Sequence, residues 1–130
     1  MGQDIELEAA DGGRFEAYFC APQGVTNAPG LIVLPEVFNT NHHIREVADG
    51  YAADGFAVLS PDVYWRQERG CFLPYTDDGR AKARALRELL DTDQFCKDLA
   101  DMVAALAARP ECNGQVGLMG FCLGGKFAYL

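Results

Sequence analysis

The 130-residue chain is 49% hydrophobic and 23% charged, with 14 glycines and 6 prolines, a balance that excludes disordered, collagenous and low-complexity proteins and suffices for one domain, not two. Its 11 Lys and Arg against 19 Asp and Glu give a net charge of −8, and it has no basic block or aromatic-interleaved basic stripe, which argues against nucleic acid or an anionic membrane as a partner. No apolar stretch approaches the roughly 18 residues that cross a bilayer, and Met1-Gly2-Gln3-Asp4 lacks a basic segment leading into an apolar core, so a soluble, cytoplasmic protein is expected.

Ile5 to Ala9 alternates, Asp11-Gly12-Gly13 is turn chemistry, and Phe15 to Phe19 is mainly apolar, which predicts an antiparallel hairpin. After a Pro/Gly/Asn loop, Leu31-Ile32-Val33-Leu34 has the continuous apolar character of a strand covered on both faces. From Asn41 the residues Ile44, Val47, Ala48, Tyr51 and Ala52 recur at helical spacing, and Gly55 stands where a glycine ends a helix. Phe56 to Leu59 then predicts a second buried strand, closed by Ser60-Pro61-Asp62. Strand, helix, strand favours a right-handed crossover in a parallel sheet.

Val63 to Asp78 has no period and is expected to be a long excursion, a kind of segment that often carries function in α/β domains. Ala83, Leu86, Leu89 and Leu90 mark a second helix, and Phe95, Leu99, Met102, Val103, Leu106 and Ala107 mark a third that ends near Arg109-Pro110. Asn113-Gly114 turns into a last strand, Gln115 to Met119, and a helix begins from Gly124 toward Leu130. No repeat or linker interrupts the order, so residues 1–130 are expected to form a single α/β domain, a mostly parallel sheet with an antiparallel N-terminal hairpin.

Gly120-Phe121-Cys122-Leu123-Gly124-Gly125 joins that last strand to the helix. A G-x-nucleophile-x-G turn bends so sharply that only small residues two before and two after the nucleophile avoid the neighbouring backbone. The bend would lift Cys122 above the carboxyl end of the sheet, with helix N-terminal amides aimed at it and the Leu123 amide free for an oxyanion. Taken alone, the turn leaves other readings open. Cysteine is commonly a small buried hydrophobe, and a redox thiol would need a partner that the sequence does not identify. Gly120 to Lys126 also satisfies the phosphate-loop pattern G-x-x-x-x-G-K, but Phe127 stands where Ser or Thr would hold magnesium.

Leu31 to Phe38 with its Pro35-Glu36-Val37-Phe38 end, His43 to Ala48, Pro61 to Tyr64 and Gly114 to Gly125 resemble the dienelactone hydrolase family of α/β-hydrolases. The resemblance runs from the first strand to the last residue. It implies the α/β-hydrolase fold, no cofactor and no metal, and a Cys-His-Asp triad that opens a lactone or cleaves a small ester through an acyl-thioester. By position Cys122 matches the nucleophile, and Glu36 matches a glutamate that contacts the resting thiol. The amides of Val37 and Leu123 match the oxyanion-hole donors. A carboxylate directly after a buried strand lies where open α/β sheets place ligands, which supports Glu36 independently.

Arg80 lines up with an arginine that binds the substrate carboxylate, although Arg80, Arg84 and Arg87 could equally form one solvated stripe on their helix. Arg84 departs from a family tyrosine that helps position substrate, which leaves substrate identity open. His42 and His43 precede Cys122, whereas α/β-hydrolases carry nucleophile, acid and histidine in that order. Capping, a surface position or support of the Glu36 loop is expected of them. Tyr64-Trp65-Arg66 is expected either to line the pocket mouth or to pack the excursion onto the sheet.

Cys20, Cys71, Cys96 and Cys112 are read as packing residues, with Cys71 the most exposed, and the five cysteines show neither C-x-x-C nor zinc spacing. The family's acid and histidine come after later strands, so the 130 residues are expected to be the nucleophile-bearing half of a longer hydrolase, truncated after the nucleophile elbow. The alternative is a catalytically inert α/β binding or interaction module.

Overall fold

A computed structural model describes residues 2–129. The chain runs β1 (Gln3–Glu8), β2 (Arg14–Cys20), β3 (Ala28–Leu34), α1 (His42–Ala53), β4 (Ala57–Pro61), α2 (Asp77–Leu89), α3 (Thr92–Ala107), β5 (Cys112–Gly120) and α4 (Leu123–Tyr129). Leu130, expected to continue the last helix, lies outside the described residues.

The Asp11-Gly12-Gly13 turn closes as its chemistry dictates. Gly12 takes a left-handed φ of 89°, and the Asp11 carboxylate accepts from the Gly13 amide at 2.9 Å. This sets β1 antiparallel to β2, with Ile5 opposite Ala17. β2 pairs antiparallel with β4, while β3 pairs parallel with both β4 and β5, giving the order β1-β2-β4-β3-β5. The connection from β3 to β4 therefore steps one way along the sheet, and the connection from β4 to β5 passes back over β3. Such a reversal opens a crevice at the carboxyl ends of the two strands it separates, and Glu36 and Cys122 lie just past those ends.

Alternation along β3 divides the core. Ile32 and Leu34 face one side with Leu59, Phe95, Met102, Leu106 and Phe127. Val33 faces the other with Val58, Ile44, Ala48 and Ala52 of α1. Side-chain caps start the helices. Asn41, Thr76 and Asp91 accept from the amides of Ile44, Gly79 and Gln94 at 3.2, 3.1 and 3.1 Å.

Two expectations are corrected. The buried stripe of α2 is Gly79, Ala83 and Leu86, whereas Leu89 is 67% exposed, because two successive steps of three residues, each about 60° short of a full turn, carry it off the face that holds Ala83. The last strand is longer than its apolar run, starting at Cys112, since polar Asn113 to Gln115 occupy the outer end of an edge strand.

Candidate active site

The elbow has the strain its spacing calls for. Cys122 has φ +53°, a left-handed value shared among described non-glycine residues only with Asn39 at 68°. Holding a side chain there costs about 1–2 kcal/mol, which the surroundings must offset. Phe121 N donates to Leu34 O at 3.1 Å, Gly124 N to Phe121 O at 2.9 Å and Lys126 N to Cys122 O at 3.1 Å, so the bend is tied to the end of β3 and to its own helix. A Cβ on Gly120 would strike the Gly124 carbonyl and the Gly125 nitrogen, and one on Gly124 would lie 2.6 Å from both Leu34 C and Pro35 O. These are backbone atoms that cannot yield, which is why glycine stands on both sides of the bend.

Leu123 and Phe127 anchor α4 in the core, Phe127 with its ring 4.3 Å from that of Phe95, while Cys122 is exposed. The position a magnesium-binding hydroxyl would take is thus core, and the phosphate-loop pattern is coincidental. Cys122 opens onto a cleft of about 260 Å³ lined by Val37, Phe38, Arg80, Arg84 and Arg87. Among the described residues no hydrogen bond to a backbone acceptor uses the amide of Val37 or of Leu123.

The loop after β3 is fixed from behind by buried polar groups. Asn39, fully buried at φ 68°, donates to Asp62 Oδ1 at 2.6 Å and Cys71 O at 3.1 Å, and its own oxygen accepts from Val63 N at 2.9 Å. Tyr64 donates its hydroxyl hydrogen to Val37 O at 2.7 Å, Thr40 donates to Pro61 O at 2.6 Å, and Leu73 N donates to Phe38 O at 3.0 Å. Burial pushes the Asp62 carboxyl up, against the pull of the Gly70, Asn39 and Tyr64 donors. Asparagine tolerates left-handed backbone, so Asn39 was a readable turn residue, but its partnership with Asp62 left no sequence signal.

Glu36 is half-buried and its Oε1 accepts from the hydroxyl of Tyr75; among the described hydrogen bonds none joins it to Cys122. Burial, and after it the Glu36 carboxylate, push the Tyr75 phenol up. Tyr75 was missed in the sequence because the excursion has no period. His42 and His43 are exposed: His42 Nε2 meets Glu46 Oε1 at 2.8 Å, and His43 lies edge-on to Tyr75. Both line a separate hollow of about 460 Å³ with Phe72, Leu73 and Tyr75, and neither lines the cleft of Cys122.

Of the two roles open to Tyr64-Trp65-Arg66, packing is the one observed. Trp65 stacks on Phe15 at 4.8 Å, and Arg66 bridges Asp98 and Asp11. Cys71 corrects its expectation. It is 6% exposed, because the Asn39 side chain holds its carbonyl and draws the excursion inward, while Cys96 is only half-buried. No helix among the described residues is long and apolar enough to cross a membrane.

The model of the dienelactone hydrolase family matches residues 15–130. Over 130 residues the chain is 35% identical to a carboxymethylenebutenolidase of Pseudomonas sp. (strain P51), covering 99% of this chain and 54% of that protein. Carboxymethylenebutenolidase 1 of Cupriavidus pinatubonensis is 32% identical over 130 residues, with 99% and 55% covered. A solved dienelactone hydrolase-like promiscuous phosphotriesterase from metagenomic libraries superposes with TM-score 0.74 at 26% identity, over 98% of this chain and 52% of that one. The chain spans about half the length of the relatives it matches.

Proposed function

Because the chain belongs to the dienelactone hydrolase family, we propose that it supplies the nucleophile of a hydrolase that opens a lactone or cleaves a small carboxylic ester through a thioester on Cys122. The observation that carries this reading is an exposed thiol held at left-handed φ, at the mouth of a cleft, by glycines that nothing larger could replace.

The thiolate sulfur of Cys122 attacks the acyl carbon, a C–S bond forms, and the carbonyl π pair moves onto oxygen. The unpaired amides of Val37 and Leu123 take up that charge. Collapse restores the carbonyl and breaks the C–O bond, and the departing alkoxide takes a proton. Water then cleaves the thioester and frees the acid. Arg80 holds a substrate carboxylate with its guanidinium fork, and Glu36 turns from Tyr75 toward the thiol when substrate enters. No histidine among the described residues lines the cleft, so this reading assigns the acid and the histidine of the triad to residues outside these 130. Residues 1–130 act as one α/β-hydrolase domain, incomplete in this reading, in the cytoplasm, with no cofactor.

The test uses p-nitrophenyl acetate on the 130-residue chain. Release of about one equivalent of p-nitrophenolate, an acetyl group located on Cys122 by mass spectrometry and no steady turnover are expected. Cys122→Ala should abolish the release. Acetylation elsewhere, or none, would overturn the reading in favour of an inert binding module.

A further inference from the structure

In a chain of net charge −8, three arginines and no acid line the cleft of the one exposed cysteine. Arg80, Arg84 and Arg87 follow one another at helical spacing on α2, each one residue after a member of the buried stripe Gly79, Ala83 and Leu86. The stripe that anchors the helix therefore turns all three guanidinium groups onto the same side. Like charges at this spacing repel and destabilise a helix. The usual remedy is at hand for one of them, since Glu88 follows Arg84 by four residues within α2, the spacing of helical ion pairs. That pair does not form among the described residues, and Arg80 has only Asp77 at 3.9 Å. The Arg87 charge also draws down the pKa of the Tyr64 phenol, which holds the Val37 carbonyl, against the larger effect of burial.

We propose that this arginine face selects a dianionic substrate: an ester or lactone carrying two free carboxylates, one held by Arg80 and the second by Arg84 and Arg87 together. The proposal rests on Cys122 as the nucleophile and adds the charge of what is brought to it. One carboxylate fills one guanidinium fork. From Arg80 to Arg87 the helix rises about 10 Å, too far for a single carboxylate to engage both ends. A second anion satisfies the two arginines that the first leaves free.

Affinity labelling of the 130-residue chain separates charge from reactivity. Bromoacetamide is neutral, bromoacetate carries one charge and 2-bromosuccinate two. In each, the Cys122 sulfur forms a C–S bond as the C–Br bond breaks and bromide leaves. With every rate divided by that of the same reagent on free glutathione, labelling of Cys122 should rise in the order bromoacetamide, bromoacetate, 2-bromosuccinate, with saturation for the last. The ratio of bromosuccinate to bromoacetamide should fall about tenfold in Arg84→Gln and in Arg87→Gln and fall with added salt, while Lys97→Gln on α3 leaves it unchanged. Equal normalised rates, insensitive to salt and to both substitutions, would overturn the proposal.

If bromoacetamide labels Cys122 no faster than Cys96, the nucleophile assignment is what fails. The arginine face is then decided by titrating succinate and propionate against the side-chain Nε–H resonances of Arg84 and Arg87. Saturation by succinate at concentrations about tenfold lower is expected, and equal concentrations would overturn the proposal.

Discussion

Tyr75, from the aperiodic excursion, gives its hydroxyl hydrogen to the Glu36 carboxylate at the end of β3. The contact joins residues 39 apart in the chain and occupies the carboxylate that the family resemblance sets against the thiol. Tyr75→Phe removes that donor and keeps the ring against Phe38, whose centroid lies 4.6 Å away. Glu36 is then free to accept from the Cys122 thiol and hold its proton, as Asp49 and Glu68 do for Cys20 and Cys71, so iodoacetamide should alkylate Cys122 about threefold more slowly than in the unmodified chain, at a stability loss of about 1 kcal/mol. An unchanged rate would show that Tyr75 does not restrain Glu36.

Strain at the elbow should be visible as stability. Cys122→Gly places the one residue that prefers φ +53° at that position, and the midpoint of urea unfolding should rise by the equivalent of about 1 kcal/mol. Cys122→Ser keeps the Cβ and should bring no gain. Gly120→Ala forces a Cβ into the Gly124 carbonyl and should cost about 3 kcal/mol while removing the preferential labelling of Cys122.

Arg66 holds Asp98 with two prongs, Nε to Oδ2 at 2.7 Å and Nη2 to Oδ1 at 2.8 Å, over the ring of Trp65 at 4.2 Å. The Asp98 side chain is 2% exposed, so Arg66→Met leaves a buried carboxylate with only Gln94 as donor. A loss of about 3 kcal/mol is expected in denaturant titration. Asp11→Asn, which removes the solvent-exposed partner of the same guanidinium, should cost far less.

Thiol chemistry should sort by burial. Burial pushes Cys20 up to about 11 and Cys71 up to about 11, with Asp49 and Glu68 adding to it. At pH 8 only about a thousandth of either is thiolate, so iodoacetamide should leave both intact in the folded chain while Cys122 reacts. A thiol whose pKa is raised by folding stays protonated where the unfolded chain has already lost its proton. Its contribution to stability is complete below pH 9 and is lost as pH rises from 9 to 11. The melting temperature should fall over that interval, and by less in Cys71→Ala. A flat profile would contradict the assignment.

The order of strands and helices was readable because burial repeats with a short period. Leu31 to Leu34 can only be a strand covered on both faces, and Ile44, Ala48 and Ala52 can only be one side of a helix. The elbow was readable for a related reason: Gly120 and Gly124 stand where backbone touches backbone, and that demand falls on residue types at fixed spacing. The cleft was only half legible. Periodicity put Arg80, Arg84 and Arg87 on one face but could not say whether that face met water or Cys122. Local pattern likewise said nothing of Tyr75, Asn39 with Asp62, or the burial of Cys71.

By itself, then, the sequence determined the α/β element order, the helix caps and the strained turn at Cys122, because each depends on neighbours a few residues away. Tertiary structure alone decided that β5 lies beside β3, that the excursion returns over its carboxyl end to put Tyr75 on Glu36, and that three guanidinium groups face one thiol. Those contacts join segments tens of residues apart. They arise from the sheet order and from which buried polar groups find partners, and neither is written in any local period.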